Sequence, residues 1–353
     1  MFSEPNFERA DEMVKWLKTV PYEVLRHGKL YTAEELYQGY KPFYVTESSG
    51  RVYLDYAEAK KRSDEVRLSD DEEKDRASFS QCYDSRVYQH FMDCGKIARD
   101  VNESVARTFH DHGIHMALNA FLTEHDPRRC IGIMGGHAIL RTDPIFACIA
   151  LMSKRLTEEG FFMVSGGGPG AMEATHLGAW MAGRTDDEVL QAVKMLAEAA
   201  TSFKDARWVS SALDVMRRYP QTQYVSLGVP TWLYGHEPST PFATHIAKLF
   251  INSIREDIIL TIAFGGIVFT PGSAGTLQEI FQDAVQNHYL SFGFASPMIF
   301  MGKRFWTDDV PVYPMIQHLV RTGRYKNLLL TLTDDPVEIE GVLKEFQKTI
   351  PYD

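Results

Sequence analysis

One stretch of the chain places small residues and a carboxylate where they could hold a phosphate. Residues 271–279 read PGSAGTLQE, directly after an apolar run. Small residues at the start of a helix let a phosphate approach the backbone N–H groups, and the helix dipole favours an anion there. Thr276 can cap this helix, which would place Glu279 in the first turn, facing the same ligand. The alternative is that the two residues form only a capping box.

Two other glycine-rich turns follow apolar runs. One contains Gly135, Gly136 and His137, and the other reads GGGPGAMEA over residues 166–174. Ligands of open parallel sheets bind beyond the carboxyl ends of the strands, so three such turns predict a phosphate-bearing ligand. The dinucleotide pattern GxGxxG with a later ribose-binding acid is missing, and so is the Walker pattern GxxxxGK[ST]. NAD-dependent redox chemistry and P-loop hydrolysis are therefore disfavoured.

These motifs resemble those of the LOG family, nucleoside 5′-monophosphate phosphoribohydrolases often mislabelled as lysine decarboxylases. PGSAGTLQE is similar to the family motif PGGxGTxxE, and GGGPGAMEA is close to GGGxxGxMxA. The family also carries an Arg in an MxxRK segment on the preceding helix. Here the match is Arg255 in NSIRE, 24 residues before Glu279. The resemblance covers roughly residues 128–350, less 184–219.

The resemblance implies hydrolysis of an N-glycosidic bond, giving a free base and ribose 5-phosphate. Glu279 would stabilise an oxocarbenium-like state, or hold the ribose hydroxyls and orient water. Arg255 would lower the pKa of Glu279 and keep it ionised, or contact the substrate directly. The expected phosphate-binding residues are Gly272, Ser273, Ala274, Gly275 and Thr276. The residues expected on the sugar and base side are Gly135, Gly136, His137, Gly167, Gly168, Glu173 and Asp283.

Asp283 enters that set because it follows Glu279 by four residues, so both carboxylates are expected on one helix face. No cofactor and no metal are expected, and lysine decarboxylation is disfavoured because no lysine lies in a recognisable Schiff-base setting. Three residues depart from the family pattern: Ser273 replaces a Gly, Glu256 replaces a Lys, and His137 replaces a small hydroxyl residue. These departures and the long N-terminal part favour an alternative function, a nucleotide-binding sensor or regulatory protein with little or no hydrolysis.

The elements that must position these residues are short apolar runs alternating with helical patterns from about residue 126 onward. This alternation predicts an α/β fold, a doubly wound parallel sheet of the Rossmann-like type covered on both faces. Residues 184–219 add about two helices and are interpreted as an insertion in the 126–353 domain. The expected strands are Cys130–Met134, Phe161–Val164, Tyr224–Leu227, Ile267–Phe269, Pro297–Met301 and Leu328–Leu332.

Residues 1–125 are predicted to form a mainly helical N-terminal extension. An amphipathic helix is expected over 5–19, a capping box at Thr32 and Glu35, and a solvated charged segment over 64–76. His110, His112 and His115 lie close together, and zinc sites use such residues. However, Gly113 interrupts the segment and the spacing HExxH is missing, so surface or helix-cap histidines are favoured over a metal site.

Composition excludes several classes of protein. The 353 residues contain 37 basic and 47 acidic side chains, a net charge of −10 that argues against binding a nucleic-acid polymer. The start of the chain lacks a signal-peptide core, and the longest nearly apolar run, 258–269, is too short to span a bilayer. Four cysteines without a CxxC pair indicate reduced thiols in a cytoplasmic protein.

A homodimer or higher homo-oligomer is implied by the resemblance, because family members build their sites at a dimer interface. The apolar stretch 242–254 is amphipathic and offers a candidate interface helix. Packing in the core is the commoner explanation for such a stretch.

Overall fold

A computed structural model describes residues 29–40 and 78–350 of the protein. Within these residues, seven strands form a single sheet in which all neighbours run parallel. This confirms the α/β, Rossmann-like fold expected from the alternating pattern. The strands are β1 (Cys130–Met134), β2 (Phe162–Ser165), β3 (Ser226–Gly228), β4 (His245–Ile246), β5 (Gly266–Phe269), β6 (Pro297–Met301) and β7 (Leu329–Thr333).

The helices of the described residues begin before the sheet and then alternate with its strands. Three precede β1: α1 (Ala33–Leu36), α2 (Tyr83–Asp93) and α3 (Val101–Leu122). Two short 3₁₀ turns, Pro127–Arg129 and Trp232–Tyr234, and a π turn, Phe305–Asp309, complete the connections. The remaining helices are α4 (Pro144–Glu158), α5 (Ala171–Trp180), α6 (Asp186–Ala199), α7 (Trp208–Arg218), α8 (Asn252–Ile262), α9 (Ala274–Tyr289), α10 (Val312–Arg321) and α11 (Pro336–Gln347).

The order of the strands across the sheet is β4-β3-β2-β1-β5-β6-β7. The chain proceeds outward from β1 to β4, then returns and places β5 on the other side of β1. The connection after β1 therefore runs over one face of the sheet, and the connection after β5 runs over the other face. Such a switch in strand order opens a crevice at the sheet edge, where α/β proteins bind ligands.

Alternate residues of the strands supply two hydrophobic cores, one on each face of the sheet. Ile131 and Ile133 of β1 belong to one core, with Val268 and Ile299. Met134, Ile267 and Phe269 belong to the other. Because both faces are covered, the strands are apolar throughout rather than alternating with polar residues, as in the central strands CIGIM and GIVF.

Six of the strands correspond to predicted apolar runs, with ends shifted by at most two residues. The two-residue strand β4 was not expected, since it lies in the stretch 242–254 that offered a candidate interface helix. That interpretation is wrong for most of the stretch, because α8 begins only at Asn252. Its apolar side chains, among them Phe242, Ile246 and Phe250, are buried in the two cores of this chain.

The described part of the N-terminal extension packs directly on the sheet. Tyr31 forms an antiparallel bridge with Ile246 of the edge strand β4. Leu36, Phe91 and Ile114 join the core on that face of the sheet. The extension and the α/β region therefore share one hydrophobic core.

The predicted capping box of α1 is confirmed. The Thr32 hydroxyl accepts from the Glu35 N–H, and the Glu35 carboxylate accepts from the Thr32 N–H. The helix predicted over 5–19 and the charged segment 64–76 lie outside the described residues. Among the helices of the described residues, none is long and apolar enough to cross a bilayer.

Candidate functional site

The three glycine-rich turns meet at one pocket, a cavity of about 270 Å³ at the switch point between β1 and β5. Its walls come from the turn after β1, from Gly166 and Met172 after β2, from the loop after β3, and from the first two turns of α8 and α9. The predicted site residues that line it are Gly135, Gly136, His137, Arg255, Ser273, Ala274, Gly275, Thr276 and Glu279.

The start of α9 forms one wall of the pocket. Ser273 is the N-cap, and no side chain of the described residues caps this end of the helix. The first intrahelical bond runs from the Leu277 N–H to the Ser273 carbonyl, so the earlier N–H groups point beyond the helix end. This end of α9 offers backbone donors and the positive pole of the helix dipole to an anion.

The structure corrects the expected register of α9. Thr276 is the third residue of the helix and not its cap, and Glu279 lies in the second turn, since the helix begins at Ala274. The capping-box alternative is therefore wrong. Thr276 is instead buried and packs against Gly272. A Cβ atom on Gly272 would lie 2.2 Å from the Thr276 Oγ1.

Arg255 lies in the first turn of α8 and connects three parts of the pocket. Its Nε donates to the Val229 carbonyl after β3 at 2.9 Å, and its Nη1 lies 3.3 Å from the Glu279 Oε1. Its Nη2 lies against Gly166, where a Cβ atom would approach it to 1.9 Å. Only glycine at 166 leaves room for this guanidinium group.

Burial dominates the ionisation of Glu279. Its side chain is 7 % exposed, and this burial raises its pKa to about 7, with Glu256 adding to the rise and Arg255 opposing it. The prediction that Arg255 keeps the pKa of Glu279 low is therefore wrong in its net direction. The guanidinium group lowers the pKa, but the loss of hydration outweighs it.

Glu256, where the family pattern has a Lys, is also a pocket residue. Its Oε1 accepts from the Asn252 side chain at 2.6 Å, and its Oε2 accepts from the Gln278 side chain at 2.7 Å. These two amides hold the carboxylate between α8 and α9. The pocket therefore carries a negative charge beside Glu279 that works against its ionisation.

The loop after β3 brings a further carboxylate that the sequence reasoning missed. Glu237 lines the pocket with Tyr234, and its Oε1 lies 3.5 Å from the His137 Nδ1. His137 thus faces an acidic partner across the pocket mouth. The available signal was the position of GVPTWLYGHE directly after a predicted strand, since every such loop in a parallel sheet reaches the same edge.

A close backbone contact joins the first and third turns. The Gly136 N–H donates to the Pro271 carbonyl at 2.9 Å, and a Cβ atom on Gly136 would lie 3.1 Å from that oxygen. A larger residue at 136 would push the two turns apart. This contact sets the spacing of the two turns that face each other across the pocket.

Five predicted site residues lie outside the pocket lining. Gly272 lies behind Thr276, as described above. Gly167 and Gly168 continue the turn after β2, where the Gly167 N–H donates to the Ser165 Oγ. Asp283 is buried one turn beyond Glu279, and its Oδ2 has no hydrogen-bond partner among the described residues.

Glu173, the fifth, is fully buried in an ion pair with Arg141. Arg141 also donates to the Ala200 and Trp208 carbonyls, which belong to the inserted helical region. Burial raises the pKa of Glu173, although Arg141 opposes the rise. The arrangement ties α5 to the region of α6 and α7, and the structure does not bring Glu173 to the pocket.

Two buried polar contacts connect the N-terminal helices to the pocket walls. Asp84 of α2 accepts from the Trp232 Nε1 at 2.9 Å and pairs with Lys248 at 2.6 Å. Asp111 of α3 accepts from the N–H groups of Phe250 and Ile251, at 2.9 and 2.8 Å. Asp111 thereby holds the two residues directly before Asn252, where α8, the helix that carries Arg255, begins.

The three clustered histidines do not converge on one point. His110 is buried, with its Nε2 2.9 Å from the Tyr31 hydroxyl and its Nδ1 3.0 Å from the Asp111 Oδ1. His112 and His115 are exposed on α3. His110 is thus a hydrogen-bonded core residue, so the expectation of a surface or helix-cap histidine is wrong at this position.

Comparisons with known proteins leave the family of this chain open. No protein-family model matches the sequence, and no curated protein matches it. Among solved structures, the chain is similar to the molybdenum cofactor binding protein from the phototrophic bacterium Rippkaea orientalis, at 15 % identity. The match covers 62 % of this chain and 96 % of that one, with a TM-score of 0.37, which is too low to carry an argument about the ligand.

Proposed function

We propose that the protein hydrolyses the N-glycosidic bond of a nucleoside 5′-monophosphate, giving a free base and ribose 5-phosphate. The observation that carries the proposal is the Arg255–Glu279 pair, 3.3 Å apart, in the same pocket as the uncapped start of α9. The motif resemblance to the LOG family supports the same assignment. No cofactor enters this proposal.

The 5′-phosphate would bind at the start of α9. Backbone N–H groups of Ser273, Ala274, Gly275 and Thr276 are the donors available there, and all four residues line the pocket. Neutral donors and a helix dipole can hold a phosphate despite the net charge of −10, because they act at short range. A side chain at Ser273 adds a hydroxyl group where the family motif has a glycine.

The ribose would then lie over Glu279. The helix rises about 1.5 Å per residue, so Glu279 lies about 7.5 Å along α9 from Ala274, and its side chain points back toward the helix start. As water adds to C1′ and the bond to the base breaks, positive charge develops on the sugar ring. An ionised Glu279 would stabilise that charge, and Arg255 would hold the carboxylate in place.

The base would occupy the part of the pocket near Met172, Tyr234 and His137. These residues offer a thioether, an aromatic ring and an imidazole, and Glu237 lies next to the imidazole. The electron pair of the broken bond passes to a base nitrogen, which must gain a proton. His137 is in a position to supply it, and the proton that the added water releases restores His137.

A nucleotide-binding sensor is the second candidate function. Glu256 favours it, because this fixed carboxylate opposes the ionisation of Glu279 in the pocket. A protein that only binds nucleotides needs the phosphate site at α9 but not an ionised Glu279. Turnover therefore distinguishes the two functions.

The test is incubation of the protein with a panel of nucleoside 5′-monophosphates and measurement of free base by chromatography. We expect release from at least one monophosphate and none from the matching nucleoside, which lacks the phosphate. Glu279→Gln and Arg255→Ala should each lower kcat/KM at least about 100-fold, because each removes a charge used in the transition state.

Asp187→Asn, at an exposed carboxylate on α6 that does not line the pocket, serves as the matched control and should retain full activity. Binding of a monophosphate without release of any base would contradict the hydrolase function and support the sensor. Equal loss of activity in the control and in Glu279→Gln would contradict the assigned role of Glu279.

A further inference from the structure

Helices α2 and α3 bring together three side chains that commonly bind transition metals. His90 and Cys94 are four residues apart at the end of α2, and Glu103 lies in the first turn of α3. One ligand atom from each lies within 4.8 Å of the others. The cluster is separate from the pocket, and its residues are not used in the proposed function.

Two of the three separations between the ligand atoms are close to those around a tetrahedral zinc ion. The His90 Nε2 lies 3.1 Å from the Glu103 Oε2 and 3.5 Å from the Cys94 Sγ. With zinc bond lengths of about 2.0 Å to nitrogen or oxygen and about 2.3 Å to sulfur, tetrahedral angles require separations of about 3.3 and 3.5 Å. The Cys94 Sγ also lies 3.9 Å from the His90 Nδ1, closer to the ring than a second ligand of an ion on Nε2 would lie, so the thiol must turn for all three residues to bind one metal ion.

Arg107 fixes the geometry of the cluster from behind. Its Nε donates to the other oxygen of Glu103, the Oε1, at 2.7 Å. Its Nη1 donates to the Gly95 and Lys96 carbonyls, directly after Cys94, at 3.0 and 3.1 Å. Ligating carboxylates in metal sites are usually held by such an outer hydrogen bond, which also orients them.

The turn after α2 places Cys94 toward α3. Gly95 has a φ of +88°, and a Cβ atom there would lie 3.0 Å from the Ile97 carbonyl oxygen. A residue with a side chain would be strained in this conformation. Cys94 and His90 are partly exposed while Glu103 is buried, so an ion can enter from solvent and keep a water as its fourth ligand.

We propose that His90, Cys94 and Glu103 form a binding site for a divalent transition metal of the zinc class. The mixed nitrogen, sulfur and oxygen ligands favour such an ion over Mg²⁺ or Ca²⁺, which prefer oxygen alone. A bound ion would join α2 to α3. Those helices also carry Asp84 and Asp111, the two anchors of the pocket walls.

The test uses the full chain, freed of metal with a chelator and titrated with Co²⁺. We expect one Co²⁺ per chain, a thiolate-to-cobalt charge-transfer band in the near ultraviolet, and visible bands of tetrahedral intensity. Stoichiometric Zn²⁺ should remove these bands. A wild-type protein that shows no charge-transfer band would overturn the proposal.

Two variants assign the site, and both change partly exposed side chains. Cys94→Ser should abolish the charge-transfer band, and His90→Gln should weaken Zn²⁺ binding at least about 100-fold, since even outer partners contribute about 10- to 100-fold. Cys148→Ser, at another partly exposed cysteine, is the matched control and should bind as the wild type does. Retention of the band in Cys94→Ser, with circular dichroism showing a folded protein, would overturn the assignment.

Discussion

At the scale of single residues, Glu279 is subject to opposing electrostatic effects. Burial and Glu256 favour its neutral form, and Arg255 favours its carboxylate form, with the result that its pKa rises to about 7. A carboxyl group with this pKa is near half ionisation at neutral pH. Catalytic carboxyl groups are often shifted in this way, because their environment is built for the reacting state.

The pH dependence of kcat/KM follows from this shift. If the carboxylate form stabilises the charged sugar, kcat/KM should rise about tenfold per pH unit below pH 7 as Glu279 ionises. kcat/KM increases with pH in this range because the raised pKa of Glu279 shifts its ionisation to higher pH. Initial rates of base release from pH 5 to 9 would measure this limb of the profile.

In Glu279→Gln the rising limb should disappear, and in Asp187→Asn it should remain. A flat profile in the wild type, with measurable turnover throughout, would show that the ionised Glu279 is not required. A limb that persists in Glu279→Gln would assign the titration to another group.

At the scale of elements, α8 depends on the N-terminal helices for its position. Asp111 of α3 accepts from two N–H groups at the start of α8, and it is almost fully buried. Arg255 lies one turn further along α8, so a shift of this end would move the guanidinium group away from Glu279. The described part of the N-terminal extension thus supports the pocket, and none of its residues is among those that line it.

Asp111→Asn tests this coupling. The Asn side chain has one acceptor oxygen, so it can accept a good hydrogen bond from only one of the two N–H groups. Hydrogen bonds to a charged group contribute about 1.5–3 kcal/mol each. We expect a loss of unfolding free energy of that order and at least a tenfold fall in kcat, measured well below the unfolding temperature, because misplacement costs rate.

The control for Asp111→Asn is Asp335→Asn, which weakens the cap of α11, where the Asp335 Oδ1 accepts from the Val337 N–H. A lost cap costs about 1 kcal/mol, so this variant should be destabilised with its kcat unchanged. If both variants lose kcat in proportion to stability, Asp111 has no positioning role.

At the scale of the whole molecule, Asp283 makes stability depend on pH. Its side chain is buried, and burial raises its pKa to about 8. The unfolded chain has an Asp pKa of about 3.9, so the folded protein binds one more proton between these values. The stability associated with this group is present below pH 4 and is lost as pH rises through 8.

Asp283→Asn should therefore remove this pH dependence. Each unit of the pKa difference corresponds to about 1.4 kcal/mol. The free energy of unfolding of the variant, relative to that of the wild type, should therefore increase steadily from pH 5 to 8. Urea unfolding across this range would measure the effect, with Asp187→Asn as the control whose pH dependence matches the wild type. A constant difference between Asp283→Asn and wild type would contradict the raised pKa.

The homodimer that the motif resemblance implies also belongs to this scale. Val285 and Tyr289 form an exposed apolar stripe on α9, at 42 % and 73 % exposure. Tyr289→Glu with Val285→Arg should shift a dimer to monomer in sedimentation at micromolar concentration, because charges are costly in an apolar contact. Val337→Glu, at another exposed apolar residue, should not. A monomeric wild type would count against a shared site.

The sequence by itself determined the α/β plan and the edge of the sheet where a site would lie. Apolar runs followed by glycines are local signals, because a strand covered on both faces must be apolar and a tight turn needs small residues. Arg255 and Glu279 were identified by their motifs. The capping box at Thr32 was readable for the same reason, since it depends on residues three apart.

Only the tertiary structure decided which of these residues meet and what their environment does to them. Glu173 carries the same type of side chain as Glu279, yet one is paired with Arg141 in the core and the other faces the pocket. Glu237 reaches the pocket through a loop without a motif. The pKa of Glu279 is raised because burial, with a contribution from Glu256, outweighs the effect of Arg255, and no local pattern in the sequence records that sum.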